Sequence, residues 1–105
     1  MKIAVFCQKG NSRSVALARR LKEMKHDAIS AGMITARRET RIMLYEWADL
    51  IILLAAQYEK RIPERYKTKL VVWVTKDYTR PFDERLEKQL EKHLQDNSSV
   101  LLNKK

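Results

Sequence analysis

Cysteine occurs once in the 105 residues, at Cys7. A single thiol excludes an internal disulfide and points to a reducing compartment, with the cytoplasm as the expected location. Long apolar runs are missing too. The longest, LIILLAA from Leu50 to Ala56, falls well short of the roughly 20 residues of a membrane span and reads as a buried strand. The chain enters KIAVF at Lys2, which leaves no space for the regions of a secretory signal, so no leader is expected. The two histidines, His26 and His93, stand apart, as a strand-entry and a helix-face residue. Without a cluster at metal-ligand spacing, neither a metal nor another cofactor is expected. Repeats, low-complexity tracts and linkers are also lacking, and the length supports one modest core. A single domain over residues 1–105 follows.

What the chain has in quantity is positive charge. It carries 22 Lys and Arg against 13 Asp and Glu, a formal net charge of +9, with 45% hydrophobic residues. This is a globular composition that favours anionic partners: phosphorylated groups, nucleic acid or acidic surfaces. The plainer alternative is a solvated surface with no particular partner. The richest basic segments are ARRETR (Ala36 to Arg41) and EKRIPERYKTK (Glu59 to Lys69). Neither has the aromatic interleaving of a single-strand stacking surface, so nucleic acid is possible but not favoured.

Four apolar runs alternate with helical patterns. KIAVF (Lys2 to Phe6), DAIS (Asp27 to Ser30), DLIILLA (Asp49 to Ala55) and LVVWV (Leu70 to Val74) read as strands. Between the first two, Leu17, Leu21 and Met24 form one helical stripe, with Ser12 or Ser14 as its N-cap. The segment Thr35 to Trp47 puts Ile42 or Met43, Glu46 and Trp47 on a second helix. A short helix is expected from Tyr58 to Ile62, disturbed near Pro63. After the loop KDYTRP, Phe82, Leu86, Leu90 and Leu94 recur every four residues in a last helix opened by Pro81, and the residues after QDNSS read as frayed. Alternating strands and helices imply an α/β fold with a parallel sheet covered on both faces. Ligands bind such sheets beyond the carboxyl ends of the strands. Cys7, Ser30 to Met33, Gln57 with Tyr58, and Asp77 are therefore expected along one edge.

The stretch VFCQKGNSRS carries the chemistry. A cysteine after a strand is most often a small buried hydrophobe. Here Gln8, Lys9, Gly10, Asn11, Ser12, Arg13 and Ser14 follow it, with Arg13 six positions after Cys7. A loop of that length wraps a tetrahedral anion with its N–H groups turned inward, and the following helix start adds positive potential. Gly10 supplies the freedom for the curl. Arg13 can hold two phosphate oxygens with its planar fork. Sulfur in such a field suits a nucleophile, and Ser14 can donate its hydroxyl to it.

These residues resemble the active-site loop of the low-molecular-weight protein tyrosine phosphatases, which reads Cys-x5-Arg-Ser after the first strand. ISAGM (Ile29 to Met33) is similar to the family's Ser-Ala-Gly after strand two, and WADLIILL (Trp47 to Leu54) to its third strand. The resemblance implies a four-stranded parallel sheet of order 2-1-3-4 with helices on both faces and a phosphate-binding loop after strand one. It makes Cys7 the nucleophile, Arg13 the phosphate clamp, Ser14 the thiolate partner and Asp77 the general acid. It further implies hydrolysis of a phosphotyrosine protein or small aryl phosphate through a cysteinyl-phosphate, releasing inorganic phosphate. The chain departs from the family at two positions and in its length, being shorter than typical members. The usual Asn three residues after the cysteine is absent, Asn11 standing four after it. Asp77 is followed by Tyr78 instead of proline, and Asp83 is a rival acid. No second cysteine serves the thiol relay of the related arsenate reductases.

Two other readings fit parts of the pattern. Sugar phosphotransferase-system IIB phosphocarriers share the length, the cysteine after strand one and a stretch similar to ADLIILLAAQY (Ala48 to Tyr58), but lack the clamp arginine and the acid. A non-catalytic phosphate or nucleic-acid binder on the same scaffold accounts for the charge alone.

Overall fold

The computed structural model describes residues 1–10, 13–73, 75, 84–98 and 101. Its elements run β1 (Lys2–Cys7), α1 (Arg13–Glu23), β2 (Asp27–Gly32), α2 (Arg38–Trp47), β3 (Leu50–Leu53), two 3₁₀ segments (Ala56–Arg61 and Glu64–Lys69), β4 (Leu70–Val72) and α3 (Glu84–Asp96). The strands form one parallel sheet of order β2-β1-β3-β4. The fold expected from the sequence is therefore present. Among the described residues, no helix is long and apolar enough to cross a membrane.

The strands read as unbroken apolar runs because both faces of the sheet are covered. Side chains alternate across a strand, so β1 feeds two cores at once. Ile3, Val5 and Cys7 pack with Leu17 and Leu21 of α1 and with Leu86, Leu90 and Leu94 of α3. Ala4 and Phe6 pack on the other face with Tyr45 of α2 and with Met33, Ile62 and Tyr66. Each buried leucine contributes about 1.5–3 kcal/mol of transfer free energy, which fixes α1 and α3 against the sheet. On the second face, Tyr45 stands between Phe6 and Tyr66, with ring centroids 5.2 Å apart in both pairs.

Several elements differ from their sequence patterns. Met24 is 44% exposed and lies beyond α1 instead of continuing its stripe. There the helix closes in a Schellman turn: the His26 N–H donates to Leu21 O at 3.0 Å and the Lys25 N–H to Lys22 O at 3.0 Å. Lys25 holds the left-handed position with φ 75°, a place usually taken by glycine. Helix α2 starts at Arg38 and not at Thr35, and its buried residue is Tyr45, while Met43 is 70% exposed. The segment after β3 forms 3₁₀ turns on either side of Pro63 instead of one α-helical piece. Strands β3 and β4 are shorter than their apolar runs. Beyond α3 the chain is not frayed at Leu101, which is helical and buried against the α1–α3 face.

Candidate active site

Cys7 is the last residue of β1 and lies opposite Gly32, the last residue of β2. Parallel pairing thus ends both strands at one level, and the loop after each starts side by side. The thiol is 1% exposed. Two groups meet its sulfur. The Gly10 N–H donates to Cys7 Sγ at 3.2 Å, and Ser14 Oγ lies 3.2 Å from it. The neutral thiol donates to that hydroxyl; a thiolate accepts from it instead. Ser14 sits inside α1 and is fully buried, so it is not the N-cap. The residue preceding α1 is Ser12, which lies outside the described residues together with Asn11.

Arg13 opens α1 and is 5% exposed. Its Nη1 donates to Leu54 O at 3.2 Å and to Thr75 O at 3.3 Å. One corner of the guanidinium is thus anchored on backbone that follows β3 and β4. The Thr75 hydroxyl also donates to Leu54 O, at 3.5 Å. Leu54 is tied in turn to β1, its N–H donating to Phe6 O at 2.8 Å. The arginine of the loop is therefore fixed to the sheet edge by main-chain carbonyls, independently of any anion.

The chain has only two glycines, and they face each other across this edge. Gly10 has φ 74°, in the left-handed region where a side chain is strained. It stands three residues after Cys7, where the family pattern has Asn, a residue that also tolerates this region. A Cβ on Gly10 would lie 2.4 Å from Gly32 N; one on Gly32 would lie 2.4 Å from Lys9 C. Three further bonds fasten the two loops. The Met33 N–H donates to Cys7 O at 2.8 Å, the Ile34 N–H to Gln8 O at 3.0 Å, and the Thr35 hydroxyl to Lys9 O at 2.7 Å.

The structure thus brings together Cys7, Gln8, Lys9, Gly10, Arg13 and Ser14 from the sequence pattern, with Met33 beside them. Ser30 and Ala31, expected beyond strand two, lie within β2. Gln57 and Tyr58 fall in the first 3₁₀ segment, where the Arg61 guanidinium stacks 5.0 Å above the Tyr58 ring. Asp77, its rival Asp83, and Tyr78 lie outside the described residues. Thr35, Thr75 and the Leu54 carbonyl carry no mark in the sequence pattern. Away from the edge, His26 Nδ1 accepts from the Met1 ammonium at 3.1 Å, and His93 stacks on Trp73 at 5.5 Å. Burial and then the terminal charge push His26 below its ordinary pKa. Among the described residues no three His, Cys, Asp or Glu side chains are grouped to hold a metal.

No family model and no curated protein matches the chain. Two solved structures do resemble it closely in shape. One is the YwlE arginine phosphatase from Geobacillus stearothermophilus, with a TM-score of 0.65 at 15% identity over 99% of this chain and 97% of that one. The other is a YwlE mutant from Bacillus subtilis, with a TM-score of 0.61 at 20% identity over 99% of both chains. The fold is that of the low-molecular-weight protein tyrosine phosphatases. Within this fold, Cys7 ends β1 and Arg13 is the first residue of α1.

Proposed function

We propose that the protein is a phosphatase for phosphorylated protein side chains, working through a phosphoryl group carried on Cys7. The observation that carries this reading is the environment of the sulfur: it accepts the Gly10 N–H, touches Ser14 Oγ and lies beside the start of a helix opened by Arg13. That setting suits a sulfur nucleophile facing a bound oxyanion. The likeness to a structure named as an arginine phosphatase supports the reaction class.

In the first step the Cys7 thiolate attacks phosphorus in line. The S–P bond forms, the bond from phosphorus to the side-chain oxygen or nitrogen breaks, and Asp77 gives its proton to that leaving atom. In the second step Asp77 takes a proton from water, whose oxygen attacks phosphorus. The S–P bond breaks, and inorganic phosphate and the thiolate are released. Loop N–H groups and Arg13 stabilise the equatorial oxygens, the largest contribution expected in such chemistry. Proton transfer by Asp77 adds about 10²–10⁴-fold.

Phosphotyrosine is the substrate that the sequence resemblance favours, and phosphoarginine is the one that the named neighbour suggests. Turnover of p-nitrophenyl phosphate, a phosphotyrosine peptide and a phosphoarginine peptide, by wild type and Cys7→Ser, tests the reaction and ranks the substrates. Multiple turnovers by wild type and none by Cys7→Ser are expected. A single turnover followed by a stable phosphoprotein would instead favour the phosphocarrier reading. Salt-sensitive binding of RNA or DNA without turnover would favour the non-catalytic one.

A further inference from the structure

We infer that Thr35 is a positioning residue for the Cys7 nucleophile, acting through a single peptide unit. The inference rests on the phosphatase reading for its kinetic consequence but not for its geometry. The carbonyl of the Lys9–Gly10 peptide accepts from the Thr35 hydroxyl at 2.7 Å, while the N–H of the same peptide donates to Cys7 Sγ at 3.2 Å. A trans peptide is planar, with its C=O and N–H pointing in opposite directions. Holding the carbonyl from one side therefore aims the amide at the sulfur on the other.

Two neighbouring units are held in the same sense. Met33 and Ile34 donate backbone N–H groups to the Cys7 and Gln8 carbonyls. These turn the Gln8 and Lys9 amides away from the β2–α2 connection. The third unit is the one that needs a side chain. It precedes Gly10, which has no Cβ to fix the sign of φ, so intrinsic backbone preference alone does not set the orientation of that peptide. Among the described residues no backbone donor takes that carbonyl; Thr35 does. Gly32 makes the contact possible, because a Cβ there would lie 2.2 Å from Thr35 Oγ1 and 2.5 Å from Lys9 O. The space vacated by one glycine holds the bond that orients the peptide before the other.

The test compares Thr35→Val, which keeps the shape and loses the donor, with Thr35→Ser, which keeps the donor. The Gly10 amide resonance, which reports its bond to sulfur, is expected to move in Thr35→Val and to return toward wild type in Thr35→Ser. Inorganic phosphate affinity and kcat for p-nitrophenyl phosphate are each expected to fall about five- to tenfold in Thr35→Val, the loss of roughly one neutral hydrogen bond, and to recover in Thr35→Ser. The melting temperature is expected to fall in Thr35→Val by no more than the roughly 4–8 °C that one such bond is worth, so phosphate binding and turnover are read well below the transition. An unmoved Gly10 resonance in Thr35→Val overturns the inference. So does a Thr35→Ser protein that behaves like Thr35→Val. A wild type that binds phosphate without turning over substrate refutes the phosphatase reading instead, and the amide and phosphate measurements still decide the role of Thr35.

Discussion

Replacing Gly32 by alanine adds one methyl group at the point where the two loops meet. The new Cβ would lie 2.2 Å from Thr35 Oγ1, 2.4 Å from Lys9 C and 2.5 Å from Lys9 O. Real Cβ contacts essentially never fall below 3.0 Å, so the Lys9 backbone, with its carbonyl carbon at 2.4 Å, must retreat by at least about 0.6 Å. The threonine can rotate away, at the loss of its bond. Lys9 has no such escape, because Gly10, next in the chain, is already packed on the Gly32 backbone. The strain is steric only, since Gly10 is the one glycine of the chain at positive φ. Overpacking of this kind costs about 1–3 kcal/mol. In a domain of 60–100 residues each kcal/mol lowers the melting temperature by about 4–8 °C. Activity should suffer more than stability, because a misplacement approaching 1 Å can cost about 10²-fold. Thermal unfolding followed by circular dichroism, and p-nitrophenyl phosphate turnover well below the transition, measure the two effects separately. A Gly32→Ala protein with wild-type melting temperature and turnover within twofold would refute the reasoning.

Two further predictions concern stability away from the site. Lys25 occupies a left-handed position that costs a side-chain-bearing residue roughly 1–2 kcal/mol, so Lys25→Gly is expected to raise stability by about 0.5–1 kcal/mol in denaturant melts, after the added chain entropy of glycine; a destabilised variant would contradict the Schellman assignment. His26 is held below its ordinary pKa of 6.5 by burial and by the Met1 ammonium, so the folded chain binds fewer protons there than the unfolded chain. Its stability is then fully present above pH 6.5 and declines as pH falls below that value toward the folded pKa. Denaturant midpoints at a series of pH values should show this acid loss shrinking in His26→Gln, and an unchanged pH dependence would count against it.

Much of the architecture was legible because its causes are local. The strands of this sheet are buried on both faces, so Ile3 to Cys7 and Leu50 to Leu54 appear as continuous apolar runs. The four-residue recurrence of Leu86, Leu90 and Leu94 marks the buried face of α3 directly. The loop from Cys7 to Ser14 was legible for the same reason: cysteine, glycine, arginine and serine lie within eight residues.

What escaped the sequence depends on contacts between distant segments. Arg13 is anchored by the carbonyls of Leu54 and Thr75, and a carbonyl has no residue signature. Thr35 is one threonine among several until Lys9 O is seen beside it, 26 positions earlier in the chain. The end of α1 was misplaced because its left-handed residue is a lysine, whereas the usual sign is glycine. Leu101 follows a polar tract with no periodicity of its own, and only the packing beside α1 and α3 explains its burial. The two glycines show both sides of this. Gly10 was read correctly as the residue that lets the loop curl, while the need for Gly32 appears only once both loops are built.

The proposed reaction requires that Cys7 carry the phosphoryl group between substrate and water. Rapid quenching of wild-type protein during p-nitrophenyl phosphate turnover, followed by peptide mass spectrometry, examines it directly. The expected result is one phosphoryl group on the peptide containing Cys7, formed and lost at rates that account for turnover, and absent from Cys7→Ser. Steady turnover with no phosphoryl group on Cys7, or turnover that persists in Cys7→Ser, would contradict it.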